Sequence, residues 1–143
     1  MRLNLSLLSF VFAIVLACGA AEATKTPSCN VIPKQPVPVM NYVELRAWYK
    51  VYNRNYFFDH LPEARFEWEN MHAIHRMGQT DCSFKPCLIT LDITYNEAFP
   101  VAKATILHEM CHVETWGEQE DHGKKWQACM HTLWLEGAFD GLI

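Results

Sequence analysis

The 143-residue sequence has no apolar run long enough to cross a membrane, no excess of basic charge, no internal repeat and no low-complexity tract. Its longest apolar stretch, Leu3 to Ala17, falls short of the ~20 residues that a spanning helix needs. With 12 Lys and Arg against 16 Asp and Glu, the formal net charge is −4, so a basic patch for nucleic acid is not expected. The missing repeat and the modest length point to one domain and not to a stacked array.

What stands in place of a membrane span is a short basic start, Met1-Arg2, then the apolar run, then small residues with Ala21-Glu22-Ala23 as an A-x-A exit. That order describes a secretory signal over residues 1–23. Val15-Leu16-Ala17-Cys18 also resembles a lipobox, so a lipoprotein signal over residues 1–17 with lipid on Cys18 is the alternative. The expected location is therefore extracytoplasmic, and the only expected tie to a membrane is that lipid. Five cysteines follow Cys18: Cys29, Cys82, Cys87, Cys111 and Cys129. In an oxidising compartment they tend to pair. Cys82 and Cys87 flank a turn containing Pro86, and Cys111 and Cys129 lie on separate predicted helices that they could staple.

Residues 24–40 carry Pro27, Pro33, Pro36 and Pro38 and read as an extended linker. The domain is expected over 41–143. Asn41 with Glu44 forms a capping box, and Leu45, Trp48, Tyr49 and Tyr52 follow as a core-facing helical stripe. Tyr56 to Pro62 reads as a compact aromatic turn. Arg65 to His75 reads as one strand, Gly78 to Asp81 as a turn, and Leu88 to Ile93 as a second strand, with a further short strand between Met77 and Phe84. Pro100 opens a long helix to about Trp116, apolar on several sides and hence buried. A last helix runs from Lys124 to about Glu136, with Trp126, Cys129, Met130, Leu133 and Trp134 as its buried stripe. The order predicts an α+β domain with a small antiparallel sheet and about three helices.

The buried helix contains His108-Glu109-Met110-Cys111-His112, an HExxH motif. Residues four apart share a helical face, so both imidazoles reach one ion. Glu109 is turned about a quarter of the way round and reaches a water on that ion instead of the ion. Two imidazoles and a carboxylate on one buried helix are costly without such a partner. A third ligand must come from elsewhere. Thr115 and Glu118 stand where a metzincin needs glycine and histidine, which removes that class. His122, in the loop between the last two helices and beside Gly123, is favoured by ligand type, and Glu136 is the alternative.

His108 to His112, followed by Asp121-His122-Gly123-Lys124-Lys125-Trp126, resembles the SprT-like family of zinc proteins, as do Tyr56 to Pro62 and Phe66-Glu67-Trp68. The resemblance covers about Asn41 to Leu135. It implies a minimal zincin-like fold, zinc on His108, His112 and His122, and Glu109 as the catalytic residue. Many members work inside the cell, and one branch acts on proteins crosslinked to DNA. The signal sequence, acidic balance and extra cysteines argue against that role here, and the C-terminal zinc ribbon of many members is not expected after the last helix.

The expected activity is hydrolysis of a protein or peptide substrate by a zinc-activated water with Glu109 as general base. A non-catalytic zinc-binding or partner-binding module of the periplasm or cell surface is the alternative. His60, His72, His75 and His131 read as surface or hydrogen-bonded histidines, with His131 and Tyr95 as remote candidates for oxyanion stabilisation.

Overall fold

The structure is a computed structural model that describes residues 36–143. The expected signal, lipidation at Cys18, Cys29 and the first part of the proline-rich segment lie outside the described residues.

Asn41 starts the first helix, α1 (Tyr42–Tyr56), by accepting from the backbone N–H of Val43 and Glu44, while the Glu44 side chain accepts from the Asn41 backbone. This reciprocal cap satisfies donors that a helix start otherwise leaves bare. The predicted stripe is the buried one: Leu45, Tyr49 and Tyr52 are buried and Trp48 partly so. The aromatic turn closes on Asn53, whose amide donates to Leu61 O at 3.0 Å and accepts from Leu61 N at 3.2 Å.

Three strands follow: β1 (Ala64–Glu69), β2 (Gly78–Asp81) and β3 (Cys87–Asp92), in the sheet order β1-β3-β2. β2 and β3 form the expected antiparallel pair, closed by the Cys82–Cys87 disulfide. β1, however, runs parallel to β3, so the sheet is mixed and not antiparallel. The reason lies in the connection. Residues 70–77 carry the chain across to the far edge before β2 begins, which a parallel neighbour requires and a hairpin does not.

That crossover also corrects the strand read over Arg65 to His75. The strand ends at Glu69, opposite Asp92, and a short 3-10 turn follows at His72–Ile74. Asp92 is fully buried, and its carboxylate accepts from the backbone N–H of Met71, Thr94 and Tyr95. One side chain thus turns the chain at both ends. Gly78 to Asp81, read as a turn, is the short strand expected nearby.

Helix α2 (Phe99–Glu114) has Pro100 in its first turn and buries Ala102, Ile106, Leu107, Met110 and Cys111 completely. Ile106, Leu107 and Met110 each contribute about 1.5–3 kcal/mol of burial. α2 packs on α1, β2 and β3, and the last helix, α3 (Lys124–Leu135), packs on α2. The Lys103 ammonium sits 3.6 Å above the Trp48 ring and ties α2 to α1. The α3 stripe is narrower than expected. Leu133 is buried and Trp126, Cys129 and Met130 partly so, while Trp134 is 62% exposed. Among the described elements α3 packs chiefly on α2, so one buried row suffices.

Candidate metal centre

His108 and His112 project from one face of α2 into a cleft of about 750 Å³ between α2, β2 and α3. Both are half-buried. Their helix is clamped to α3 by the Cys111–Cys129 disulfide, whose first cysteine lies between the two histidines. The connecting turn then brings His122 back over α2. Glu118 makes that return possible: its carboxylate accepts from Lys125 N at 3.0 Å and Trp126 N at 3.2 Å, capping α3 in place of an N-cap side chain. A Cβ on Gly123 would stand 2.5 Å from the Glu118 carboxyl carbon, so the glycine makes room for the cap. Gln127 Nε2 donates to His122 O at 2.8 Å and fixes the backbone there.

The three imidazoles converge. One ring nitrogen from each of His108, His112 and His122 lies within 4.8 Å of the others. His108 Nε2 and His122 Nε2 are 3.3 Å apart. Two nitrogens roughly 2.0–2.1 Å from one tetrahedral ion stand about 3.3 Å apart, so this spacing fits zinc. Burial, and next the neighbouring His112 and His122, push His108 down to about 4. Burial also lowers His112, against the charge of Asp121, whose Oδ1 lies 3.9 Å from His112 Nδ1. His108 is therefore neutral near pH 7 with a lone pair free, the state a metal ligand needs. Trp126 packs its ring against all three, with centroids 4.1 Å from His122, 4.7 Å from His108 and 5.5 Å from His112. The donor set and its spacing fit a single divalent ion such as zinc.

Glu109 is 2% exposed and lies beside the cluster, Oε1 being 3.9 Å from His108 Nε2. Burial pushes its carboxyl up to about 7, opposed by the Thr80 hydrogen bond and Arg76. Thr80 Oγ1 donates to Glu109 Oε2 at 2.8 Å. Behind this contact, Asn96 donates to Met77 O and Asp92 O and accepts from Thr105 Oγ1 at 2.6 Å. That buried network ties the start of β2 to α2 one turn before Glu109.

The structure thus brings His108, His112, His122 and Glu109 together. Glu136 is exposed at the C-cap of α3 and does not line the cleft. His131 and Tyr95 do not line it either, although His75, which lies 3.3 Å from Tyr95 OH, does. His60 pairs with Glu114. Sequence reasoning missed Thr80, Gly78 and Asn96. The only sequence signal was a polar residue in a short edge strand, which has many commoner explanations.

Compared with known families, residues 45–138 match the one described as SprT-like family, which is more than half of the chain. No curated protein matches.

Proposed function

The chain belongs to the SprT-like family, and from that premise we propose that it is a zinc-dependent peptidase acting outside the cytoplasm on protein or peptide substrates. His108, His112 and His122 hold the ion. Bound zinc supplies a Lewis acid for the scissile carbonyl and acidifies a water beside it. Glu109 takes the proton from that water and delivers it to the leaving amine.

One observation carries this reading. The Glu109 carboxylate lies at the cluster without belonging to it, buried and held by Thr80. A purely structural metal site has no use for such a group, whereas a proton carrier must be held beside the metal in just this way. Two disulfides, Cys82–Cys87 and Cys111–Cys129, are compatible with an oxidising compartment, and none of the described helices is long and apolar enough to cross a membrane. Processing after Ala23 is the expected route of export, with lipid on Cys18 as the alternative, and intact mass from the native host separates them.

The deciding experiment compares Glu109→Gln with His108→Ala. Glu109→Gln is expected to keep zinc and fold and to lose cleavage of an unfolded protein by at least ~10²–10⁴-fold. His108→Ala is expected to lose the metal as well. Equal cleavage by wild type and Glu109→Gln would falsify the mechanism. A zinc-loaded wild type that cleaves nothing would make the chain a binding module instead.

A further inference from the structure

The two walls of the cleft differ in chemistry. On the β2 side stand Arg76, Gln79 and Thr80, and Arg76 Nη1 donates to Gln79 Oε1 at 2.9 Å, which holds its charge on that wall. On the α2 and α3 side, beside the polar Thr105 and Asp121, the lining includes an apolar set. Ala104 and Val101 lie one and two turns before His108 on the same face of α2. Met130 of α3 and Phe139 beyond it complete the wall.

Phe139 reaches the cleft because the chain reverses after α3. Gly137 takes a φ of +72°, Ala138 N donates to Leu133 O, and Gly137 N donates to Trp134 O. This is a glycine-terminated helix end, which turns the chain back along the helix. Phe139 is 7% exposed and its ring lies 6.3 Å from that of Trp134. The apolar wall is therefore preformed and not left to close around a ligand. It is also continuous with the histidine cluster, since Ala104 is the residue one turn from His108. At Ala104 the wall carries only a methyl group, which leaves depth for a long side chain.

We propose that the wall formed by Val101, Ala104, Met130 and Phe139 is the subsite for a large apolar side chain next to the scissile bond. The substrates are then peptide segments bearing Leu, Met or Phe, which folded proteins bury and unfolded ones expose. This rests on the peptidase reading. Filling the subsite favours Leu over Ala by roughly tenfold or more in kcat/KM.

The test has two arms. In the first, the zinc-loaded mature chain is given an unstructured peptide mixture and the cuts are mapped by mass spectrometry. A large apolar residue is expected at one position flanking the cut, and Ala104→Phe is expected to reduce the Leu-over-Ala preference at least tenfold, with zinc content checking its fold. Cuts with no apolar enrichment, or enrichment of acidic residues that would mark Arg76 as the selector, overturn the proposal. In the second arm, zinc-loaded Glu109→Gln is titrated with N-acetyl-leucine amide and with N-acetyl-aspartate amide while the Met130 methyl is followed by NMR. A shift with the leucine amide alone is expected, and no shift with it overturns the subsite. A leucine-dependent shift in a chain whose wild type cleaves nothing keeps the apolar subsite and overturns the peptidase reading instead.

Discussion

Thr80 Oγ1 lies 2.8 Å from Glu109 Oε2 and 3.2 Å from Glu109 O, so one hydroxyl on the edge strand meets both the side chain and the backbone of the HExxH glutamate. Thr80→Val keeps the shape and removes the donor. A hydrogen bond to a charged group is worth about 1.5–3 kcal/mol, so kcat should fall roughly ten- to a hundredfold with zinc content unchanged. The bond lowers the Glu109 pKa, so its loss raises it, and the acid limb of the pH–rate profile should move to higher pH. Thr80→Ser should restore both. A profile unmoved by Thr80→Val would mean that the hydroxyl does not act on Glu109.

Gly78 meets the same carboxylate from the backbone side. A Cβ there would stand 2.5 Å from Glu109 Oε1 and 2.8 Å from Thr105 Cγ2. Gly78→Ala must therefore displace the Glu109 carboxylate and Thr105 or push β2 away from α2. Overpacking of this kind costs typically about 1–3 kcal/mol. The melting temperature of a domain this size should drop by roughly 4–8 °C per kcal/mol. Calorimetry on the zinc-loaded protein checks this, and an unchanged melting temperature would show that the strand gives way freely.

These contacts mark where sequence reading ran out. The α1 cap, its Leu45–Tyr49–Tyr52 stripe, and His108, Glu109 and His112 were legible because each depends on a fixed local spacing, whereas His122 was legible only through its ligand type, its place in the loop and the family resemblance. Both cysteine pairs were legible for a related reason: a turn or two neighbouring helices brought them close. The parallel pairing of β1 with β3 was not, since it is decided by where residues 70–77 carry the chain and by the three backbone donors gathered on Asp92. Gly78 and Thr80 were hidden likewise. Gly78 suggests a turn until Glu109, thirty-one residues later, is seen to occupy the space of its missing Cβ.

The Cys111–Cys129 disulfide closes a loop of sequence separation 18 that contains His112 and His122. In the chain-entropy picture such a cross-link stabilises by about 3 kcal/mol, and a shorter loop gains less. Cys111→Ser with Cys129→Ser should therefore cost more stability than the same change at Cys82 and Cys87, whose separation is 5. Zinc affinity should fall too, because His122 loses its tether to α2 and ordering it then opposes binding. Denaturant unfolding of the metal-free proteins and competitive zinc titration read the two effects separately. Equal losses from the two pairs would contradict the loop argument.

His60 Nε2 lies 2.5 Å from Glu114 Oε2, joining the aromatic turn to the last residue of α2. The hydrogen bond to Glu114 raises the His60 pKa above its ordinary value of 6.5, helped by the Glu114 charge and opposed by slight burial. The folded state then holds the proton more tightly than the unfolded one. The stabilisation is complete below the unfolded pKa and is lost as pH rises through the folded one. Side-chain exposures of 52% and 36% leave the pair well screened, so its worth is at most about 1 kcal/mol. His60→Gln should accordingly be less stable than wild type below the ordinary imidazole pKa of about 6.5 and approach it as pH rises through the raised folded-state pKa. Measuring the difference between the two metal-free proteins cancels the contribution of every other titrating group they share. Raising the salt to about 1 M shortens the screening length to roughly 3 Å and should shrink the difference at low pH. A gap that is constant with pH, or indifferent to salt, would show that His60 contributes through packing and not through its charge.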